Sequence, residues 1–267
     1  MSRLSFLFFS FLSLLFFHGN AQTGISVSPP RLYFESGNGT SNTQKVTVTN
    51  VSAKNSLDLA VSLGDWEYDG KGENMTYAPN TLPSSCASWV SVKKEDNYFT
   101  LAPGEKKDID VTITVPNTFS GQLPVHTAIL YVSQMNPVDD VDHKGAHIKV
   151  SVRSGIKLFH KLPAAGTKKL EIRNLTYEKS TNMVNLLFEN QGDVWTDGKI
   201  YTDFVNTGNG KKTSLDPVIF YTMPGNKREM NIPLPAGLEK GKYTASVMMD
   251  YGDSNSLELG ELSFSYE

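Results

Sequence analysis

The segment Ala146–Pro163, AHIKVSVRSGIKLFHKLP, limits the possible folds more than any other part of the chain. Side chains alternate across an extended strand, so residues two apart share a face. At that period Ile148, Val150, Val152, Ile156 and Leu158 form one row, interrupted only by Ser154, and Lys149, Ser151, Arg153, Gly155 and Lys157 form the other. The pattern predicts a single strand over Ala146–Phe159, well beyond the usual length of about 5–6 residues. Such a ribbon either packs its apolar row into its own core or lends it to a partner.

The same alternation recurs along the chain, and helical periodicity is almost absent. Strands are expected at Ile25–Phe34, Gln44–Asn50, Leu57–Trp66, Trp89–Val92, Tyr98–Leu101, Lys107–Val115 and His126–Gln134 ahead of the long one. The clearest is the row Ile109, Val111, Ile113 and Val115, with polar residues between. Pro103-Gly104-Glu105 is a turn signal, and Val138–Gly145 reads as a polar connection. Leu162–Thr167 reads as a linker. Beyond it, strands are expected at Lys169–Leu175, Met183–Asn190, Lys199–Phe204, Val218–Met223, Lys227–Ile232, Lys242–Tyr251 and Leu257–Tyr266. Seven strands in about 100 residues suit an immunoglobulin-like sandwich. The fold class expected is therefore all-β, with two tandem immunoglobulin-like β-sandwich domains at 22–162 and 163–267.

At the N-terminus, Arg3 precedes an apolar run from Leu4 to Phe17, and Gly19 and Ala21 supply the small residues of a cleavage site. This is the layout of a secretory signal peptide, expected over residues 1–21. The run is shorter than the roughly 20 residues that span a bilayer, and no later run is longer, so no membrane span is expected in the mature form. Removing Arg3 takes the formal net charge from −3 to −4. That mild acidity argues against nucleic acid as a partner. Cys86 is the single cysteine and is expected to be a buried, inert thiol.

Two stretches carry a family resemblance. Ser26-Val27-Ser28-Pro29-Pro30-Arg31-Leu32-Tyr33-Phe34 resembles the first strand of the periplasmic chaperones of chaperone–usher pilus assembly, the PapD-like proteins. Ile156-Lys157-Leu158-Phe159-His160-Lys161-Leu162-Pro163 resembles the segment that closes their first domain. Trp89 and Leu101–Glu105 fall between them in the expected order. The resemblance covers roughly Ile25 to Pro163. It implies a periplasmic chaperone that captures a secreted, pilin-like or other surface subunit by β-strand addition; whether an outer-membrane usher is a further partner, or the chain serves another surface-assembly pathway, stays open. It also implies that Arg31 and Lys157 hold the client's C-terminal carboxylate, and that Ile148, Val150 and Val152 are the donated row. Arg binds carboxylates bidentately, and a fixed end sets the register of an added strand. No cofactor is implied.

The second half looks less like that family and closer to generic bacterial immunoglobulin-like modules. A structural or adhesive surface protein with no client is therefore the competing reading. The two differ over Ile148, Val150 and Val152: a chaperone must leave them accessible without a client, with self-association as one way to cover them, whereas a structural module buries them. Enzymatic readings find no support. His143 and His147 lack further ligands for a metal site, Asp139, Asp140 and Asp142 lack the pattern of a calcium loop, and nucleotide-binding and hydrolase fingerprints are absent.

Overall fold

The structure is a computed structural model that describes residues 24–119, 123–141, 145–252 and 257–267. The expected signal peptide and His143 lie outside these residues. The first sandwich contains β1 (Ile25–Ser28), β2 (Arg31–Glu35), β3 (Ser41–Asn50), β4 (Leu57–Tyr68), β5 (Asn74–Tyr77), β6 (Val90–Ser91), β7 (Tyr98–Leu101), β8 (Lys106–Thr114), β9 (Val125–Gln134), β10 (Val138–Val141), β11 (His147–Val150) and β12 (Arg153–Lys161). One sheet runs β1-β3-β8-β6. The facing sheet runs β2-β12-β9-β4-β5, with β7 also on β4. Between them lie Val46, Val48, Leu57, Leu59, Ile109, Val111, Ile113, Leu130, Ile156 and Leu158, all fully buried. The predicted row Ile109, Val111, Ile113 and Val115 thus faces the core. Cys86 is enclosed in the same core, and burial pushes its thiol pKa up.

The second sandwich contains β13 (Leu170–Glu178), β14 (Met183–Asn190), β15 (Thr196–Asn206), β16 (Lys212–Ser214), β17 (Val218–Thr222), β18 (Lys227–Pro233), β19 (Gly241–Asp250) and β20 (Leu257–Tyr266). Its sheets are β13-β14-β18 and β16-β15-β19-β20, with β17 on β15. Val184, Leu186, Phe188, Phe204, Phe220, Ala245 and Val247 fill its core. The fold is all-β, as the alternation predicts, and no helix among the described residues is long and apolar enough to cross a membrane.

Three sequence expectations change. Ile25–Phe34 is not one strand: the chain breaks at Pro29-Pro30, so β1 joins β3 in one sheet while β2 pairs in parallel with β12 in the other. Proline has no N–H to give a ladder, so two in succession interrupt pairing and allow the strand to change sheets. The Ala146–Phe159 ribbon is also broken, into β11 and β12 at Ser151-Val152. And Val138–Gly145 is not merely a connection, because Val138–Val141 forms β10 against β11.

The cause lies opposite the break. Between the pairs Arg153↔Ser133 and Val150↔Val138, one side has two residues and the other four. The longer side leaves the ladder: the Met135 N–H donates to Asp58 O, and the Asn136 side chain accepts from Asp58 N–H and donates to Ser56 O. Pro137 then has no N–H to donate. Gln134 holds the other side, its N–H donating to Val152 O and its carbonyl accepting from Ser151 Oγ.

Candidate functional site

The parallel pairing of β2 and β12 places Lys157 directly beside Arg31. Odd positions of both strands face away from the first core: Leu32, Phe34, Ile156 and Leu158 are buried inward, while Arg31, Tyr33, Lys157 and Phe159 face the second sandwich. The sequence-predicted pair is therefore brought together at the junction of the sandwiches, although the two residues lie far apart in the chain.

An aromatic floor lies beneath them. Trp66, Tyr68 and Phe159 from the first sandwich pack with Trp195, Tyr221 and Met223 from the second. Tyr33 stacks on Phe159 at 4.9 Å and meets Trp195 at 5.5 Å. The Trp66 indole N–H donates to Ala128 O at 2.8 Å, which fixes its ring. Both cations rest on this floor. The Lys157 ammonium lies 4.0 Å from the Trp66 ring centroid and 4.2 Å from that of Tyr68, and the Arg31 guanidinium lies 4.2 Å from that of Tyr221. Ring faces attract cations through their quadrupole, so the floor orients the charges without neutralising them.

The polar partners of Lys157 are neutral. Its ammonium donates to the Tyr68 hydroxyl at 3.2 Å and to Asn74 Oδ1. Among the described residues, no ion pair includes Arg31, Lys157 or Arg228. Burial, with the nearby Arg31 charge, pushes the Lys157 pKa down to about 8. Burial would also lower that of Arg31, but its contacts with Tyr221 outweigh this and hold it above the ordinary value. Burial pushes the Tyr68 phenol up to about 12, so it stays a neutral donor. The arrangement is a concentrated positive site lined with hydroxyl and amide groups, suited to an anion.

No family model matches the chain, and no curated protein matches it in sequence. Solved structures do. A chain in the CsuC–CsuE chaperone–tip adhesion subunit pre-assembly complex, from the archaic chaperone–usher Csu pili of Acinetobacter baumannii, superposes with a TM-score of 0.50. It is 12% identical, and the match covers 89% of this chain and 97% of that one. The protein has the two-domain fold of the chaperone–usher pilus chaperones. The Salmonella enterica SafB chaperone–SafA pilin complex (TM-score 0.49, 14% identity, 91% of this chain and 99% of that one) and the E. coli chaperone DraB (0.47, 17%, 92% and 96%) are also similar. The fold likeness at a TM-score of 0.50 covers 89% of this chain, well beyond the two short stretches that carry the sequence resemblance.

In this fold the predicted strand-pairing residues separate from their neighbours in the same row. Ile156 and Leu158 sit in the core, whereas Ile148 is 40% exposed and Val150 and Val152 are half-buried. All three lie outside the core cluster. Among the described residues β11 pairs only with β10, which leaves its other edge unpaired. The apolar row therefore runs from the core out onto an open strand edge.

Sequence reasoning missed Tyr68, Asn74, Tyr221 and Arg228. The expected strand at Leu57 ended at Trp66, but β4 continues to Tyr68, and the apolar alternation Trp66, Tyr68 was the available signal. Tyr221 lay inside a correctly expected strand, with nothing in its period to mark it as facing another domain.

Proposed function

We propose that the protein is a periplasmic chaperone for a secreted, pilin-like subunit. In this reading it donates the Ile148–Val152 segment as a β-strand, and Arg31 and Lys157 anchor the client's C-terminal carboxylate. The observation that carries the reading is the pair of register-matched cations, side by side on an aromatic floor, with no carboxylate partner among the described residues. Two guanidinium or ammonium donors converging on one carboxylate give charge-assisted hydrogen bonds worth about 1.5–3 kcal/mol each. The exposure of Ile148 and the open edge of β11 favour a chaperone over a structural module, which would bury that row. The chemistry is binding alone, and neither cofactor nor metal takes part in it. Delivery to an outer-membrane usher, and self-association to shield the row before a client arrives, belong to the same proposal.

The test is affinity capture of the mature protein from its own host, comparing wild type with Arg31→Ala plus Lys157→Ala. One small secreted partner near 1:1 stoichiometry, lost in the double variant, is expected. A partner retained by that variant refutes the anchor, and no stoichiometric partner in either sample refutes the chaperone reading.

A further inference from the structure

The β4–β5 hairpin joins the cation site to the second domain. Its turn is tied by Asp69, whose Oδ1 accepts from the N–H groups of Lys71 and Glu73 at 2.9 and 2.8 Å. The turn docks on β18: the Glu229 N–H donates to Gly70 O at 2.7 Å, and Arg228 Nη2 donates to Lys71 O at 3.1 Å. Arg228 also donates through Nη1 to Tyr221 O, is only 5% exposed, and its buried Nε has no hydrogen-bond partner. Gly72 lies against the guanidinium, where a Cβ would collide with Nη2. A buried guanidinium thus spans the domains, bonding backbone on one side to the hairpin turn and on the other to the strand that carries Tyr221.

Tyr68 ends β4 just ahead of that turn. Its ring is buried, 6.5 Å from Tyr221 and nearly parallel to it, and its hydroxyl accepts from the Lys157 ammonium. An ammonium has no lone pair, so it cannot accept the hydroxyl proton in return. Lys157, Arg31 and the Tyr68 hydroxyl therefore all present protons in one place, and none of them receives a carboxylate from the described residues.

We infer that Tyr68 is a third ligand for the client carboxylate, donating its hydroxyl proton alongside Arg31 and Lys157, and that Arg228 of the second domain is the positioning residue that holds it there. The inference rests on the carboxylate-anchor reading above. It makes the second domain part of client recognition: the hairpin that carries Tyr68 is held by β18, so the hydroxyl position depends on how the two sandwiches dock. Asn74, exposed on the same hairpin, gives Lys157 a neutral acceptor that a carboxylate displaces.

The test compares two forms of a short synthetic peptide of alternating valine and threonine, one with a free C-terminal carboxylate and one with a C-terminal amide, titrated against the full mature chain. The ratio of the two affinities isolates the carboxylate. Wild type is expected to prefer the acid. Tyr68→Phe, which keeps the ring packing, is expected to cut that preference about tenfold, the scale of one hydrogen bond to a charged group, while amide binding stays unchanged. Arg228→Met is expected to lower the preference in the same direction without altering amide binding, which a merely structural role would not do. A full acid preference in Tyr68→Phe, with its loss in Arg31→Ala or Lys157→Ala, overturns the inference and leaves the two-cation anchor standing. No acid preference in wild type overturns both.

Discussion

Raising the pH should release a carboxylate-bearing client through Lys157. In the free protein burial and the adjacent Arg31 hold Lys157 down to about 8. A bound carboxylate within hydrogen-bond reach favours the charged form and moves the pKa back up. The sign follows from that rise. The bound state keeps the proton to higher pH than the free state, so affinity is fully present below about pH 8 and falls as pH rises beyond it. If the bound-state value returns to the ordinary lysine range near 10.4, affinity falls about tenfold by pH 9 and somewhat under a hundredfold by pH 10. Lys157 is partly exposed, and screening by solvent makes these upper limits. Tyr68, held up to about 12, stays neutral across this window, and Arg31 and Arg228 stay charged. Isothermal titration of the acid and amide peptides between pH 7 and 10 measures the effect, with Lys157→Arg as the control that cannot deprotonate. Acid-peptide affinity that stays level to pH 10, or an equal decline in Lys157→Arg, would refute the reasoning.

Three further outcomes are expected. Gly72 has a φ of +88° and lies against Arg228; Gly72→Ala should destabilise the fold by about 1–3 kcal/mol and loosen the docking of the domains, read by thermal melting and small-angle scattering. The buried pair His126 and His160, with ring nitrogens 3.4 Å apart, is held below the ordinary histidine range, chiefly by burial and for His126 also by His160, which puts His126 at about 4. Their stabilising contribution is therefore present above about pH 6.5 and lost as pH falls toward 4, and His126→Phe should flatten that loss in denaturant titrations across pH 4–7. Ile148→Glu should change stability by no more than about 0.5 kcal/mol, as for an exposed site, yet abolish co-purification of a client; a large drop in melting temperature would mean that the row is structural.

Much of the fold was legible because alternation reports directly which side chains face a core. The rows Ile109–Val115 and Ile156–Leu158 alternate as apolar faces and are fully buried. Strand breaks were harder. Pro29-Pro30 stood in plain view, but the interruption at Ser151-Val152 arises from Asn136 and Met135 bonding to the start of β4, a tertiary event invisible to periodicity. The meeting of Arg31 with Lys157 needs a parallel pairing between strands more than a hundred residues apart. No local pattern encodes that pairing, so only the family resemblance pointed to it. The rest of the site, Tyr68, Tyr221, Asn74 and Arg228, comes from a hairpin and a second domain whose contacts depend on docking rather than on spacing.

The broken ribbon gives the physical reason why strand donation, as proposed, would need an anchor. Ile156 and Leu158 are already fully buried, so they hold β12 in place but leave little surface for a partner. The remaining row offers one exposed and two half-buried aliphatic side chains. At about 1.5–3 kcal/mol for complete burial of one such side chain, covering what is still exposed supplies only a few kcal/mol. Association itself costs about 4–15 kcal/mol, so the row alone does not hold a client. Main-chain hydrogen bonds along the open edge of β11 add to it, but a ladder is indifferent to register. A slip of one residue would present Lys149 and Ser151 to an apolar groove in place of Ile148, Val150 and Val152. A client whose last carboxylate is fixed at Arg31 and Lys157 cannot slip. On the proposed function, the charged site would therefore add affinity and also set which face of the donated segment a client receives.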